Sequence, residues 1–305
     1  DLALICGEHP DSFSDYELLP LTSVLQSSAF LIAHQHSWES KDMSPLLHRF
    51  YAIGSLGKEE AVSQRRKGSS KKGIVSGSPT LWLALPDGHQ QQPALEFLNK
   101  AGIRVWNHEP ESRRPSINLE GVRVKVIRPQ DMPLQVANEN FDLAITGQDW
   151  LYDHLYRFPS SPVKEILGLG FGKVRIVAVA SNELPVDSLQ DLRGLLRKGD
   201  LPYLRIASEY INIADKYARV NHLSPYRLIP TWGASEVFLP EDADLLIENI
   251  QTGRTLARHN LKVIDTLFES SACLIGNTYT ISDSSRQQGV DYIVQILCQA
   301  VRKSE

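Results

Sequence analysis

The chain is organised around Asp244-Leu245-Leu246-Ile247-Glu248-Asn249-Ile250-Gln251-Thr252-Gly253-Arg254-Thr255-Leu256. An apolar run leads to the acidic Glu248, and a loop with two threonines and a glycine follows before a helix-compatible segment. This order predicts a strand, a loop and a helix whose N–H groups and hydroxyls face a phosphate, with Glu248 placed for ribose hydroxyls. The alternative is an ordinary strand-to-helix connection with a glycine turn. Short Gly/Thr loops are common, so this stretch alone does not choose between the two.

Strands and helices alternate along the chain from residue 80 onward. Apolar runs predict strands at 81–85, 122–127, 141–147, 174–180, 204–208 and 227–230, and helical spacing predicts helices at 93–101, 189–196 and 214–220. This alternation indicates an α/β architecture with mainly parallel sheets. Ligands of such folds bind at the carboxyl ends of strands. The candidate site loops are therefore 86–88, 146–147, 208–210, 233–236 and 251–253.

The first 79 residues lack this regularity. Residues 1–64 are expected to form a small α/β or irregular segment of unknown role. Its His34, His36 and Glu39 make a metal site conceivable, but surface histidines are the default because no fourth ligand is evident. Residues 65–79 are basic and rich in Gly and Ser, which predicts a solvated linker and a domain boundary. An anion-binding arm is the alternative.

The bulk properties are those of an ordinary globular protein. The 305 residues suit about two domains. A net charge of -4 and the lack of a long apolar run give no reason to expect binding to nucleic acid or membrane. Cys6, Cys273 and Cys298 are widely spaced without a CxxC pair, which fits a reducing cytoplasm. The sequence begins at Asp1 rather than Met, so the true N-terminus and any signal peptide stay open.

A series of short motifs makes residues 80–277 resemble the ATP phosphoribosyltransferases, the enzymes that open histidine biosynthesis. Each motif alone is weak, but all occur in family order over about two-thirds of the chain. The matching segments are Leu-Pro-Asp-Gly at 85–88, Arg-Pro-Gln-Asp-Met-Pro at 128–133, Phe-Asp-Leu-Ala-Ile-Thr-Gly-Gln-Asp at 141–149, Leu-Gly-Phe-Gly-Lys-Val-Arg at 169–175, Arg-Ile-Ala-Ser-Glu-Tyr at 205–210, Gly-Ala-Ser-Glu at 233–236, the loop at 248–256, Asn-Leu at 260–261 and Ala-Cys-Leu-Ile-Gly-Asn at 272–277.

The resemblance implies a fold like the type II periplasmic binding proteins, with two α/β domains and a central cleft. Residues 80–183 and 266–305 would form the first domain, and 184–265 the second. It further implies transfer of the ribose C1 of phosphoribosyl pyrophosphate to N1 of ATP, release of pyrophosphate, Mg²⁺, a cytoplasmic location and homo- or hetero-oligomers. Only a short helical tail follows Asn277. This resembles the short form of the family, which works with a histidyl-tRNA-synthetase-like partner.

Site residues carry over where the motifs match. The phosphoribosyl pyrophosphate set is Glu236, Glu248, Thr252, Gly253, Arg254, Thr255 and Leu256, and the ATP set is Asp87, Gly88, Arg128, Asp149 and Arg175. Glu236 is expected either to bind ribose or to organise Mg²⁺, and no metal ligand or covalent nucleophile is assigned. Two alternatives stay open: Arg128 and Arg175 as surface ion pairs, and Asp149 as a helix cap.

The sequence departs from the family pattern in its first loop. Asp87 and His89 stand where the family carries Lys and Arg, so two basic residues expected near the nucleotide or the pyrophosphate are absent. Glu248 replaces an Asp and is one methylene longer, and Ser208 replaces a Thr and keeps the hydroxyl. The first-loop changes favour a second hypothesis, a non-catalytic ligand-binding or regulatory protein on the same scaffold. The near-complete phosphoribosyl loop favours the transferase.

Overall fold

A computed structural model describes residues 81–107, 113–282 and 284–303. The expectations for residues 1–64, including their histidines, and for the linker 65–79 lie outside these residues.

The described chain forms two halves, each built on a five-stranded sheet. The first half contains β1 (Leu81–Pro86), α1 (Gln91–Lys100), β2 (Val105–Trp106), β3 (Ser116–Ile117), β4 (Val122–Ile127), α2 (Met132–Ala137), β5 (Leu143–Gly147), α3 (Gln148–Arg157), β6 (Val163–Gly168), β12 (Ala272–Asn277), α7 (Thr278–Ser282) and α8 (Ser284–Arg302). The second half contains β7 (Val174–Ser181), α4 (Leu189–Lys198), β8 (Leu204–Ser208), α5 (Ile211–Val220), β9 (Tyr226–Pro230), β10 (Leu245–Ile250), α6 (Arg254–Arg258) and β11 (Leu261–Ser270).

The two sheets share one strand order. In the first sheet the order is β4-β1-β5-β12-β6, and in the second it is β9-β8-β10-β7-β11. In each, three parallel strands are followed by one antiparallel strand, β12 or β7, that enters directly from the other half. This order, repeated with two chain crossings, defines the type II periplasmic-binding-protein-like fold. The predicted fold class is therefore confirmed.

Two details of the predicted architecture are wrong. The sheets are mixed rather than mainly parallel, because β12 and β7 each run antiparallel to both of their neighbours. The predicted boundaries at 183/184 and 265/266 also cut across the second sheet, since β7 and all of β11 pair within it. Apolar and polar residues do not alternate regularly along strand β11. The reason is that two register shifts interrupt its pairing with β7, one between Val263 and Asp265 and one between Thr266 and Phe268.

Each sheet buries both of its faces. In the first sheet, Leu83 and Leu274 pack with α1 and α8 on one face, while the adjacent residues Ala84 and Ile275 pack with α2 and α3 on the other. This follows from the two-residue period of a strand, which sends successive side chains to opposite faces. In the second sheet, strand β10 divides in the same way between two apolar clusters. Continuous apolar runs of this kind are typical of strands covered on both sides.

Helices α3 and α5 join the two halves. The rings of Trp150 in α3 and Tyr210, just before α5, are stacked with their centroids 4.2 Å apart. Asp153 of α3 accepts hydrogen bonds from the backbone N–H groups of Asn212 and Ile213, both at 2.9 Å, and from the Asn212 amide at 2.6 Å. A carboxylate from the first half thus caps a helix of the second. The contact brings the carboxyl ends of β5 and β8 together.

Candidate active site

The predicted strand, loop and helix of the phosphoribosyl stretch are all present. Strand β10 ends at Ile250, residues 251–253 form the loop, and α6 begins at Arg254. Gly253 has φ +71°, a left-handed conformation that disfavours any side chain, and the space beside its Cα is open. Thr252 is exposed, whereas Leu256 is buried in the apolar cluster that also holds Leu246. The loop is therefore anchored from below by Leu256 and presents its outer surface to solvent.

Glu248 lies at the base of this loop and is held in place. The backbone N–H and the side-chain amide of Asn249 both donate to its Oε1, each at 2.9 Å. Burial and, to a smaller extent, the charges of Glu209 and Glu236 together raise the pKa of the Glu248 carboxyl from 4.5 to about 7. Glu248 therefore sits among other carboxylates, at the position from which the sequence predicted contact with ribose hydroxyls.

Glu236 approaches the loop from the neighbouring connection. It lies in a 3-10 turn, Ser235–Phe238, that begins after Ala234 at φ +49°. The hydroxyls of Thr231 and Ser235 are 2.7 Å apart beneath this turn, and both residues are buried. Glu236 Oε1 is 3.9 Å from Nε2 of His259, which follows α6. The second half therefore gathers Glu236, Glu248 and the phosphoribosyl loop at one edge of its sheet.

Asp149 lies inside the joint between the halves and is only 2% exposed. Its Oδ1 accepts the Ser270 hydroxyl and its Oδ2 the Tyr210 phenol, both at 2.7 Å. The residue that precedes α3 as its N-cap is Gly147, and Asp149 lies within the first turn. The alternative of Asp149 as a simple helix cap is therefore wrong in detail. Its predicted contact with ATP stays a prediction.

The two predicted arginines lie in different places. Arg175 pairs with Ile250 in the β7–β10 register, so it stands beside the start of the phosphoribosyl loop, and it is exposed. Arg128 follows β4 in the first sheet and is also exposed. Among the described residues neither arginine forms an ion pair within 4 Å. Both guanidinium groups are thus available to an anionic ligand, and the expected surface ion pairs are absent from this part of the chain.

The first loop gains a positive charge that the motifs did not reveal. Arg113 Nη1 lies 2.7 Å from Oδ2 of Asp87, and the Arg113 carbonyl accepts the N–H of Val126 at 2.9 Å. Asp87 therefore stands where a basic residue was expected but draws a guanidinium to the same place. His89 is exposed in the 3-10 turn Gly88–Gln90. The only sequence signal for Arg113 is the Arg-Arg pair before Pro115, which lies outside every matched motif.

Tyr210, Asn249 and Ser270 also belong to the site, although none carried a predicted role. Asn249 donates its side-chain amide to Tyr210 Oη at 3.0 Å as well as to Glu248. Ser208 positions Tyr210, because its Oγ accepts the Tyr210 N–H at 2.8 Å and donates to the Ile247 carbonyl at 2.7 Å. The Ser208 hydroxyl therefore makes hydrogen bonds inside the protein. The sequence signal that could have identified Asn249 is the polar pair 248–249 at the end of an apolar strand.

The fold and this site define a two-domain α/β protein of the type II periplasmic-binding-protein-like class, with ligand loops at the carboxyl ends of its strands. Among the residues described, none of the helices combines the length and apolar character that a bilayer-spanning segment requires. A family model for HisG, ATP phosphoribosyltransferase, matches residues 128–299, more than half of the chain. The chain belongs to the ATP phosphoribosyltransferase family.

Individual relatives agree with this membership. An ATP phosphoribosyltransferase of Sulfolobus acidocaldarius is 34% identical over 200 residues, and that match covers 65% of each chain, slightly under two-thirds. One from Chlorobaculum parvum is 30% identical over 233 residues, covering 75% of this chain and 74% of the relative. Among solved structures, the ATP phosphoribosyl transferase (HisG:HisZ) complex from Thermotoga maritima matches with a TM-score of 0.58 and 19% identity, over 73% of this chain and all of that one. The non-catalytic alternative is not favoured.

Proposed function

We propose that the chain is an ATP phosphoribosyltransferase that catalyses the first step of histidine biosynthesis. The observation that carries this proposal is the placement of Glu248 directly below an exposed, Leu256-anchored Thr-Gly loop. Family membership supports it, because the same stretch lies within the matched residues 128–299. The chain spans about two-thirds of the length of the Sulfolobus relative, so the activity itself is inferred from the site and the family together.

Each half would hold one substrate. In the second half, backbone N–H groups of residues 252–256 would bind the 5′-phosphate, as exposed amides at a loop-to-helix junction do. Glu248 would accept hydrogen bonds from ribose hydroxyls, with Glu236 beside it. Arg175 stands beside this loop, which favours a role at the pyrophosphate rather than the nucleotide. In the first half, Arg128 and the pair of Asp87 with Arg113 would face ATP.

The chemistry requires positioning and electrostatics. N1 of ATP attacks C1 of the ribose, the C1–N1 bond forms, and the bond from C1 to the pyrophosphate oxygen breaks with its electron pair leaving on pyrophosphate. Positive charge develops at C1 and its ring oxygen during this exchange. The carboxylates of Glu236 and Glu248 supply negative charge on the ribose side, and arginines face the departing anion. No covalent intermediate with the protein is needed.

Mg²⁺ fits this scheme as part of the substrate rather than as a resident ion. Within the described ranges, no three His, Cys, Asp or Glu side chains form a group that would hold a metal. Mg²⁺ commonly keeps its waters and binds through substrate phosphates with few protein ligands. We therefore propose that it arrives with phosphoribosyl pyrophosphate and neutralises the pyrophosphate charge, and we assign no protein ligand to it.

A pair of glycine variants tests the loop assignment. Gly253 and Gly199 both have positive φ, at +71° and +81°, and neither has a neighbour within 4 Å of an added Cβ. Gly253→Ala and Gly199→Ala should therefore cost similar stability, roughly 1 kcal/mol each, from backbone strain alone. Only Gly253→Ala should weaken phosphoribosyl pyrophosphate binding, because Gly199 ends α4 away from the loop.

Turnover is followed as ultraviolet absorbance of the adduct, with ATP, phosphoribosyl pyrophosphate, Mg²⁺ and pyrophosphatase present. Equal KM values for phosphoribosyl pyrophosphate in the two glycine variants would remove the loop assignment. Absence of adduct, both alone and with a histidyl-tRNA-synthetase-like subunit, would refute the transferase. We propose such a subunit as a partner within a homo- or hetero-oligomer and the cytoplasm as the location. Co-purification with a subunit encoded nearby in the genome would test the proposed partner, and cell fractionation would test the proposed location.

A further inference from the structure

A continuous series of hydrogen bonds connects the first half of the protein to Glu248. It begins at Asp149 in α3, where Oδ2 accepts the Tyr210 phenol at 2.7 Å. The Tyr210 oxygen accepts one amide hydrogen of Asn249 at 3.0 Å, and the same amide nitrogen donates to Glu248 Oε1 at 2.9 Å. Four side chains from the two halves of the protein are thus linked by consecutive hydrogen bonds.

The direction of every bond in this series is fixed from its first member. The Tyr210 hydroxyl donates to Oδ2 of Asp149, so its single proton points to that oxygen. Burial and the charge of Asp149 raise the pKa of Tyr210 well above its ordinary value, which keeps that proton in place. The Tyr210 oxygen is then left as an acceptor for Asn249. One amide hydrogen of Asn249 then points to Tyr210 and the other to Glu248, so the Glu248 carboxylate is held in a single orientation.

We propose that Asn249 and Tyr210 are positioning residues that orient the Glu248 carboxylate toward the ribose of phosphoribosyl pyrophosphate, using Asp149 of the opposite half as their fixed point. The proposal rests on the function proposed above. It adds that the ribose-binding carboxylate is aligned from the other half of the molecule. The joint supplies a rigid support, because Tyr210 is 1% exposed, stacks on Trp150 and is held at its backbone by Ser208.

The shape of the site explains why Glu248 needs such support. The charges of its neighbours Glu209 and Glu236 disfavour a negative charge on Glu248, so hydrogen-bond donors are needed to stabilise the carboxylate beside them. The backbone N–H of Asn249 at 2.9 Å fixes one oxygen, and the Asn249 amide fixes the same oxygen from a second direction. Two donors on Oε1, with the Ser235 hydroxyl as a further hydrogen-bond partner of the carboxylate, restrict its rotation.

Tyr210→Phe removes the phenol oxygen that links Asp149 to Asn249, and Asn249→Leu removes the amide that links Tyr210 to Glu248. Both substitutions keep the approximate shape of the side chain and therefore test the proposal. Tyr217→Phe is the matched control: its phenol also donates to a carboxylate, Asp265 at 2.9 Å, in a buried position that has no connection to Glu248. The readouts are the KM values for phosphoribosyl pyrophosphate and for ATP, the Kd for phosphoribosyl pyrophosphate with Mg²⁺ by calorimetry, and the melting temperature.

Each test variant should raise the KM and Kd for phosphoribosyl pyrophosphate by roughly 3–10-fold, the magnitude of one hydrogen bond to the substrate, and leave the KM for ATP unchanged. If Tyr210 acts through Asn249, the double variant should resemble Asn249→Leu instead of showing the product of the two effects. Tyr217→Phe should change neither constant, whatever its melting temperature. Multiplied effects in the double variant, or equal effects of Tyr210→Phe and Tyr217→Phe, would overturn the proposal.

These outcomes are separable from the fate of the transferase. An active unsubstituted protein whose test variants keep an unchanged Kd overturns only the positioning roles. An unsubstituted protein that forms no adduct, alone or with the synthetase-like subunit, but binds phosphoribosyl pyrophosphate with a Kd weakened by both variants supports the positioning roles and refutes the reaction. A protein that neither binds this substrate nor forms adduct overturns both. If Tyr210→Phe fails to fold, Asn249→Leu and the calorimetric Kd still decide the outcome.

Discussion

Gly147→Ala should break the joint between the two halves, although the backbone itself would accept alanine. Gly147 has φ -83° and ψ 146°, an extended conformation open to any residue. A Cβ at this position, however, would overlap Oδ1 of Asp149 and lie 3.1 Å from its Cγ. The Asp149 carboxylate cannot move aside cheaply, because it is buried and accepts both Ser270 and Tyr210. The substitution must therefore displace it from these partners.

The expected cost follows from those two hydrogen bonds. Each bond to a charged acceptor contributes roughly 1.5–3 kcal/mol, and a displaced carboxylate recovers part of this by contact with water. We therefore expect the free energy of unfolding to fall by about 2–4 kcal/mol. For a folded region of this size, that corresponds to a decrease in melting temperature of roughly 5–15 °C.

Urea denaturation of Gly147→Ala, with Gly194→Ala as control, measures the effect. Gly194 lies inside helix α4 with nothing within 4 Å of an added Cβ, so its replacement should stabilise the protein by about 0.5–1 kcal/mol. In an Asp149→Ala background, Gly147→Ala should cost little more, because the overlapping carboxylate is gone. A Gly147→Ala protein within about 0.5 kcal/mol of the unsubstituted one would refute the reasoning.

Three further predictions concern charge, capping and reactivity. In the folded protein the pKa of Glu248 is raised from 4.5 to about 7, so the folded state holds its proton more tightly than the unfolded chain does. The unsubstituted protein should therefore lose stability relative to Glu248→Gln as pH rises from about 4.5 to about 7, by at most about 3 kcal/mol. The measurement is the difference in denaturation midpoint between the two proteins. The same difference at about pH 4.5 and at about pH 8 would contradict the prediction. Asp153→Ala should cost about 1–3 kcal/mol in urea denaturation, because three hydrogen bonds at the start of α5 are lost, whereas Asp200→Ala at an exposed position should change little. Burial raises the pKa of the Cys273 thiol, so in the native protein iodoacetamide should label the half-buried Cys298 before Cys273. Mass spectrometry that finds Cys273 labelled first would contradict the buried position of Cys273.

Local patterns in the sequence predicted the elements whose physics is local. Strand β4 alternates cleanly, and β10 with its Thr-Gly loop appears where it was expected, because strand period and loop chemistry are written in adjacent residues. Strand β6 was missed, since Lys164 and Glu165 interrupt its apolar run at a sheet edge. Sheet membership was also beyond local reasoning, because β7 and β12 are placed by partners far away in the sequence.

The same distinction between local patterns and long-range contacts applies to the candidate site. Glu248 and Gly253 were identified because both lie within one short motif, residues 248–256. The salt bridge of Arg113 with Asp87 and the contact of Asp149 with Tyr210 join residues 26 and 61 positions apart, and no periodicity relates them. Reading Asp87 as a simple loss of positive charge was therefore incomplete, because the compensating guanidinium comes from a different segment of the chain.

The position of β12 has a consequence for how the protein is made. Strand β12 fills the place between β5 and β6, yet the whole second half separates it from β6 in the chain. On the ribosome, the first half must therefore wait with two exposed strand edges until residue 277 has emerged, whereas strands β7 to β11 are contiguous and complete their sheet earlier. Open edges of this kind invite pairing with other chains. Fragments that end before Ala272 should aggregate during synthesis, and the second half should reach its native pairing first.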